Sequence, residues 1–151
     1  MADPRDNLTD ARVLLRLDRA ALGTIDPSGA PYVSLVLAAA DAACKPLLLL
    51  SDLAEHSKNL RRDARASLLF DGTAGLDQPL TGPRLTLMGR VAPAPDPADL
   101  ARYVAQHNDA AGWAQMSDFR LYRLEPEGAH LVAGFGRIAW LDAIALFSRD
   151  N

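Results

Sequence analysis

Cysteine is almost missing from this chain. Cys44 is the only one in 151 residues, so no internal disulfide and no thiolate metal cluster can form, and it reads as a small buried or half-buried side chain. Histidine is scarce as well: His56, His107 and His130 lie far apart and match no zinc-ligand spacing. No apolar run reaches the roughly 18–20 residues of a membrane span, and the opening MADPRDNLTD has no apolar signal region. The expectation is therefore a cytoplasmic protein with no membrane partner. Positive charge is not in excess either. Sixteen Lys and Arg stand against 19 Asp and Glu, a net charge of −3, which supports no nucleic-acid partner.

The common chemical signatures are also absent. There is no Gly-x-Gly-x-x-Gly, no phosphate loop with Gly-Lys-Ser/Thr, and no Gly-x-Ser-x-Gly elbow. With no nucleophile and no paired acids, no catalytic residue is assigned. Any chemistry is expected to belong to a bound cofactor.

What is present is an ordinary globular composition, 49% apolar and 23% charged, long enough to bury a core. Residues 1–151 read as a single domain, without repeat or linker. The spacing of Leu8, Ala11 and Leu15 predicts an amphipathic helix from Asp6 to Arg19. Two strands, AALGTID and PYVSLVLAAA, follow across a short Pro- and Gly-containing turn. PLLLLS is a third strand, apolar enough for burial on both faces. ARASLLF is a fourth and RLTLMGRVAPA a fifth, with Leu85, Leu87 and Gly89 on one face. Asp96 and Pro97 open a clear helix in DPADLARYVAQHN. DFRLYRLEPEGAHLVAGFG reads as strand, Glu-Pro-Glu-Gly turn, strand. Short connections between about six strands point to an antiparallel barrel with peripheral helices, since a parallel sheet needs a helix after nearly every strand.

One segment carries candidate chemistry: LSDLAEHSKNLRRDARASLLF, Leu50 to Phe70. A strand ending in Ser51 that turns into a helix suits an anion, because helix N-terminal N–H groups are unpaired and the dipole favours negative charge. Ser51, His56, Ser57, Lys58 and Asn59 can add donors. The plain alternative is a solvated helix started by an Asp52–Glu55 box, with Leu53, Leu60 and Ala64 as its buried stripe.

The order helix, GTIDPSGAPYVSLV, LLLLSDLAEHSKNLRRDARASLLF, PRLTLMGRV, FRLYRLEPEGAHLVAGFGRIAWL resembles the FMN-binding split barrels of the pyridoxamine 5′-phosphate oxidase-like superfamily. LSDLAEHSKNLRRD and GFGR are most similar to its haem-utilisation and haem-degradation branch. The resemblance covers roughly Leu14 to Leu141. It implies a mainly β, α+β fold: a six-stranded antiparallel split β-barrel with peripheral helices, working as a homodimer with FMN at the subunit interface. It implies that Tyr32 to Val36 line the flavin ring and that Ser51 and His56 to Asn59 hold the phosphate. Ser34, Arg84 and Arg137 are then expected near the ring, with Arg137 following the last strand and reaching a partner's flavin. The function implied is an FMN-dependent oxidoreductase acting on a small molecule. Its alternatives are a haem-binding or haem-degrading protein and a non-catalytic flavin-binding or interaction module.

This chain departs from the oxidases at several positions. They carry arginine at Ser34, lysine at Ala39 and an Arg-Lys pair at Glu55 and His56. Each charge-assisted bond to a phosphate adds roughly 1.5–3 kcal/mol, so a phosphorylated substrate such as pyridoxamine phosphate is disfavoured. The haem-degrading members ligate iron through a histidine in a further C-terminal region. No histidine follows His130 here, and His130, at a strand start, reads as structural.

Overall fold

A computed structural model describes residues 3–148. The first helix, α1 (Pro4–Leu14), starts where Asp3 accepts a hydrogen bond from the Arg5 N–H and Pro4 fills the first turn. It buries Ala11 and Leu14 against the sheet. The helix expected from Asp6 to Arg19 thus begins and ends earlier. Arg19 already pairs with Leu37 in a strand ladder, and that pairing claims the backbone a longer helix would need.

Strands β1 (Arg19–Ile25) and β2 (Pro31–Leu37) form a hairpin. Its turn is held by the Asp26 carboxylate, which accepts from Ser28 N–H, Ser28 Oγ and Ala30 N–H, with Gly29 at φ +85°. The two-residue β3 (Ala39–Ala40) leads through a turn to β4 (Pro46–Ser51). Then come α2 (Glu55–Arg62), β5 (Arg65–Asp71), a 3-10 turn at Pro79–Thr81 and β6 (Arg84–Pro93). Helices α3 (Pro97–Gln106) and α4 (Ala110–Trp113) precede β7 (Phe119–Gly134), β8 (Arg137–Leu141) and α5 (Ala143–Phe147).

All strands belong to one antiparallel sheet, ordered β2-β1-β5-β6-β7-β4-β3, with β8 also on β7. The six longer main-path strands form the expected antiparallel split barrel, and the short β3 and β8 extend it. β2 and β4 approach each other without pairing, which leaves the barrel split between them.

The expected Glu-Pro-Glu-Gly turn is instead part of β7, which is 16 residues long. Its first half pairs with β4, its second half with β8, and β6 runs along nearly its whole length. The ladder slips at Met88/Gly89, opposite Pro126, so the strand absorbs the proline as a bulge instead of reversing there. Gly89 is required at this bulge, because a Cβ would run into the Glu125 carbonyl.

Burial follows strand parity. Leu22, Leu68, Phe70, Leu85, Leu87, Leu124 and Leu131 fill the main core. β4 is buried on both faces as its composition predicts. Leu48 and Leu50 join the main core, while Leu47 and Leu49 pack with Tyr103 and Ala110 under the helices. Helix α3 is tied to the sheet by Arg123, whose guanidinium donates to Asp41 at 2.7 Å and also to Asp99.

The opposite face of the sheet is unusual. Register places Leu35, Ala21, Leu69, Thr86, His130 and Trp140 in one outward row across β2, β1, β5, β6, β7 and β8. Leu35 is 73% exposed and Trp140 69%. Val33, Met88 and Ile138 extend this apolar surface. Among the described residues no helix is long and apolar enough to cross a membrane.

Candidate functional site

The segment after β4 enters α2 without the expected start box. Ala54 is the N-cap and makes no side-chain cap. Asp52 is instead taken by Arg120, at 3.0 Å, and Arg61, at 3.6 Å. The expected stripe holds only in part: Leu60 packs against the main core, but Leu53, just before the helix, is 75% exposed, while Ser57 and Asn59 are buried. The reason is geometric. α2 lies over β1 and β2 at the split, where the Thr24 and Ser34 hydroxyls offer polar partners. Asn59 Nδ2 donates to Thr24 Oγ1 at 3.1 Å, and Asn59 Oδ1 accepts from Arg62 at 2.9 Å. The buried Ser57 Oγ has no hydrogen-bond partner among the described residues.

His56 faces the seam, with Nδ1 2.9 Å from Ser34 Oγ on β2. Burial pushes its imidazole below the ordinary histidine range, so the neutral ring is favoured. Ser51 Oγ donates to the Asp118 carboxylate at 2.7 Å and accepts from Leu53 N–H at 3.2 Å. Lys58 is exposed and pairs with Glu55 at 3.3 Å. A pocket of about 270 Å³ opens here, walled by Leu35, Leu37 and Leu49 and by the aromatic rings of Tyr103, Trp113 and Phe119. Trp113 stacks on Phe119 with centroids 6.4 Å apart. Among the described residues, no lysine or arginine lines this pocket.

Arg84 lies elsewhere, at the start of β6 on the outward face. Its Nη1 donates to the carbonyls of Leu80, at 2.9 Å, and Gly82, at 3.2 Å. Two adjoining hollows of about 510 and 430 Å³ share Pro79, Leu80, Arg84 and Val132 as walls. One runs on to Phe135 and Ile138, the other to Leu69, Thr86 and His130. Phe135 sits 90% exposed at the β7–β8 turn, where Gly136 has φ +78°. Arg137 opens β8 instead of following the last strand, and donates to Asn7 and Asp10 of α1, each at 3.1 Å.

Of the residues singled out from sequence, Ser34, Ser51 and His56 thus meet at the seam, with Ser57 and Asn59 buried in the helix behind them. Lys58 is on the exposed side of that helix, Arg84 is in the outward cleft and Arg137 is against α1. Sequence reasoning missed Asp118, Trp113 and Phe119 at the seam, which arrive from distant segments. It read His130 as starting a strand, whereas His130 lies in the second half of β7. Its signal was the alternation with Ala129 and Leu131, both fully buried.

Residues 11–133 match the family profile described as pyridoxamine 5′-phosphate oxidase. The chain is 36% identical over 109 residues to the chloroplastic heme oxygenase HOZ of Arabidopsis thaliana; the match takes in 70% of this chain and 33% of that protein. This chain therefore spans about a third of that relative's length. The structure of a heme binding protein from Mycobacterium smegmatis superposes with a TM-score of 0.88 at 27% identity, over 97% of this chain and 61% of that one. The fold is shared with HutZ, a heme storage protein of Vibrio cholerae, with a TM-score of 0.68 at 23% identity, over 85% and 97% of the two chains. With the profile matching most of its length and the fold shared with the mycobacterial structure, the chain belongs to the pyridoxamine 5′-phosphate oxidase family.

Proposed function

We propose that this protein binds haem, in the outward cleft at Arg84. The observation that carries this reading is the contrast between its two hollows. The seam, where FMN phosphate is expected, has no lining cation among the described residues, a neutral-favouring His56 and the Asp118 carboxylate on Ser51. A phosphate dianion gains little there. The outward cleft joins apolar walls to the Arg84 guanidinium, with the Asp71 carboxylate at the Thr73 end of one hollow, and the stretch from Arg84 to Ile138 suits a flat apolar macrocycle bearing carboxylates. Leu69, Leu80, Val132 and Ile138 would shield the porphyrin from water, and Arg84 would pair with a propionate. When bound, haem supplies an iron centre for one-electron and oxygen chemistry. The names of the plant and mycobacterial relatives support the same cofactor.

An apolar face crossing six strands on one side of the sheet also favours a homodimer, with a second copy closing over the cleft. The second cofactor reading is FMN in a flavin-dependent oxidoreductase of unassigned substrate. The family match and the paired Ser34 and His56 at the seam favour it. Titrating the purified protein with haem, and separately with FMN, decides between them. A saturable Soret band at micromolar haem with weak FMN binding is expected. Tight FMN binding without a Soret change would overturn the haem reading, and binding of neither would leave an interaction module.

A further inference from the structure

We propose that His130 is the protein's ligand to the haem iron, an assignment that rests on the haem reading above. Two of the three imidazoles already have structural tasks. His56 is engaged through Nδ1 with Ser34 at the seam. His107 Nε2 lies 2.7 Å from the Ala38 carbonyl, and its ring packs on Tyr103 at 4.9 Å. His130 has no such task. Among the described residues its ring makes no hydrogen bond or ion pair, only a tilted contact with Trp140 at 4.6 Å.

The nitrogens of the half-buried His130 ring are not sealed from the surface and engage no protein donor or acceptor among the described residues, so they stand open to a ligand entering from the apolar face. The sheet sets where that ring points. Ala129 and Leu131 face the core, so His130 faces outward, with Thr86 beside it on β6 and Trp140 on β8. It lines the same hollow as Arg84. Arg84 pairs with Val132, two residues from His130 on the same face, an offset of about 7 Å. With that offset His130 would ligate the iron while the long Arg84 side chain would hold a propionate. Trp140, Leu69 and Val132 would then lie against the macrocycle around the ligand. A neutral imidazole nitrogen is a common protein ligand to haem iron. The nearest rival on this face is the Met88 thioether, one step along β6 beyond Thr86.

The test is reconstitution of the full chain with haem, in the wild type and in His130→Ala, His130→Gln and Met88→Leu variants, with folding checked by circular dichroism. The readouts are the ferric absorption and electron paramagnetic resonance spectra and the rate of haem transfer to an excess of acceptor globin. Both His130 variants are expected to lose the nitrogen-ligated signature and release haem about tenfold faster or more. Added imidazole is expected to restore the wild-type spectrum of His130→Ala, and Met88→Leu to leave it unchanged. A wild-type spectrum in both His130 variants, or its loss in Met88→Leu alone, overturns the assignment while the haem reading stands. Failure of the wild type to bind haem overturns both.

Discussion

The Ser34 hydroxyl stands 2.9 Å from Nδ1 of His56 and ties β2 to α2 across the split of the barrel. Burial holds that imidazole below its ordinary value of about 6.5. In the window just below 6.5 the unfolded chain therefore binds more protons at this site than the folded one. Stability contributed here is intact above that window and declines as pH falls through it. An NMR titration is expected to place His56 below the unfolded value, and His56→Gln is expected to flatten this part of the stability profile. An imidazole titrating at or above 6.5 would contradict the burial argument.

Asn59 and Thr24 form the buried polar contact under α2. Asn59→Ala leaves the Thr24 hydroxyl without its partner and is expected to destabilise the fold by about 1–3 kcal/mol. Adding Thr24→Val should recover part of that loss, because a buried pair replaced on both sides strands no polar group. Urea unfolding of the two single variants and the double variant measures this coupling.

Arg123 reaches both Asp41 and Asp99, and all three side chains are mostly buried. Arg123→Met leaves the buried Asp41 carboxylate without this cation and Asp99 with only the more exposed Arg102, and a loss of about 3 kcal/mol is expected. Combining it with Asp41→Asn and Asp99→Asn should return much of that stability. If the single and triple variants unfold at the same urea concentration, the cluster is not what pins α3.

Gly89 faces the Glu125 carbonyl at the β6–β7 slip. Gly89→Ala drives a methyl into backbone, which cannot move aside as a side chain would. Destabilisation of about 3 kcal/mol or more is expected. Thermal unfolding that is unchanged in Gly89→Ala would mean the bulge is looser than its geometry indicates.

Leu35 and Trp140 sit at opposite ends of the outward row. Leu35→Asp places a charge on the face proposed to meet a second copy, where an unpaired buried charge is strongly unfavourable. Analytical ultracentrifugation is expected to find a dimer for the wild type and a monomer for Leu35→Asp. A monomeric wild type would remove the homodimer proposal.

Much of the fold could be read along the chain because it depends on local pattern. Alternation in RLTLMGRV predicted which side of β6 is buried, the PLLLLS run predicted a strand covered twice, and Asp96-Pro97 marked a helix start. Where pattern and pairing compete, pairing won. Glu-Pro-Glu-Gly has turn composition, yet β6 alongside keeps it extended, and Arg19 was drawn from a helical pattern into the ladder with Leu37. The site was less legible. Leu53 and Asn59 exchanged the burial their polarity suggests, since α2 meets Thr24 and Ser34 at the split as well as the core that takes Leu60.

The sequence by itself determined most of the strands, their inward faces and the family pattern, because period-two burial is written residue by residue. Only the tertiary structure decided which polar groups meet. It brought Asp118 to Ser51 and His56 to Ser34, sent Arg84 to a different hollow, and set His130 on the outward face against Trp140, with no hydrogen-bond partner among the described residues. Those outcomes depend on contacts between segments tens of residues apart, where register and the curl of the sheet, not local spacing, choose the neighbours.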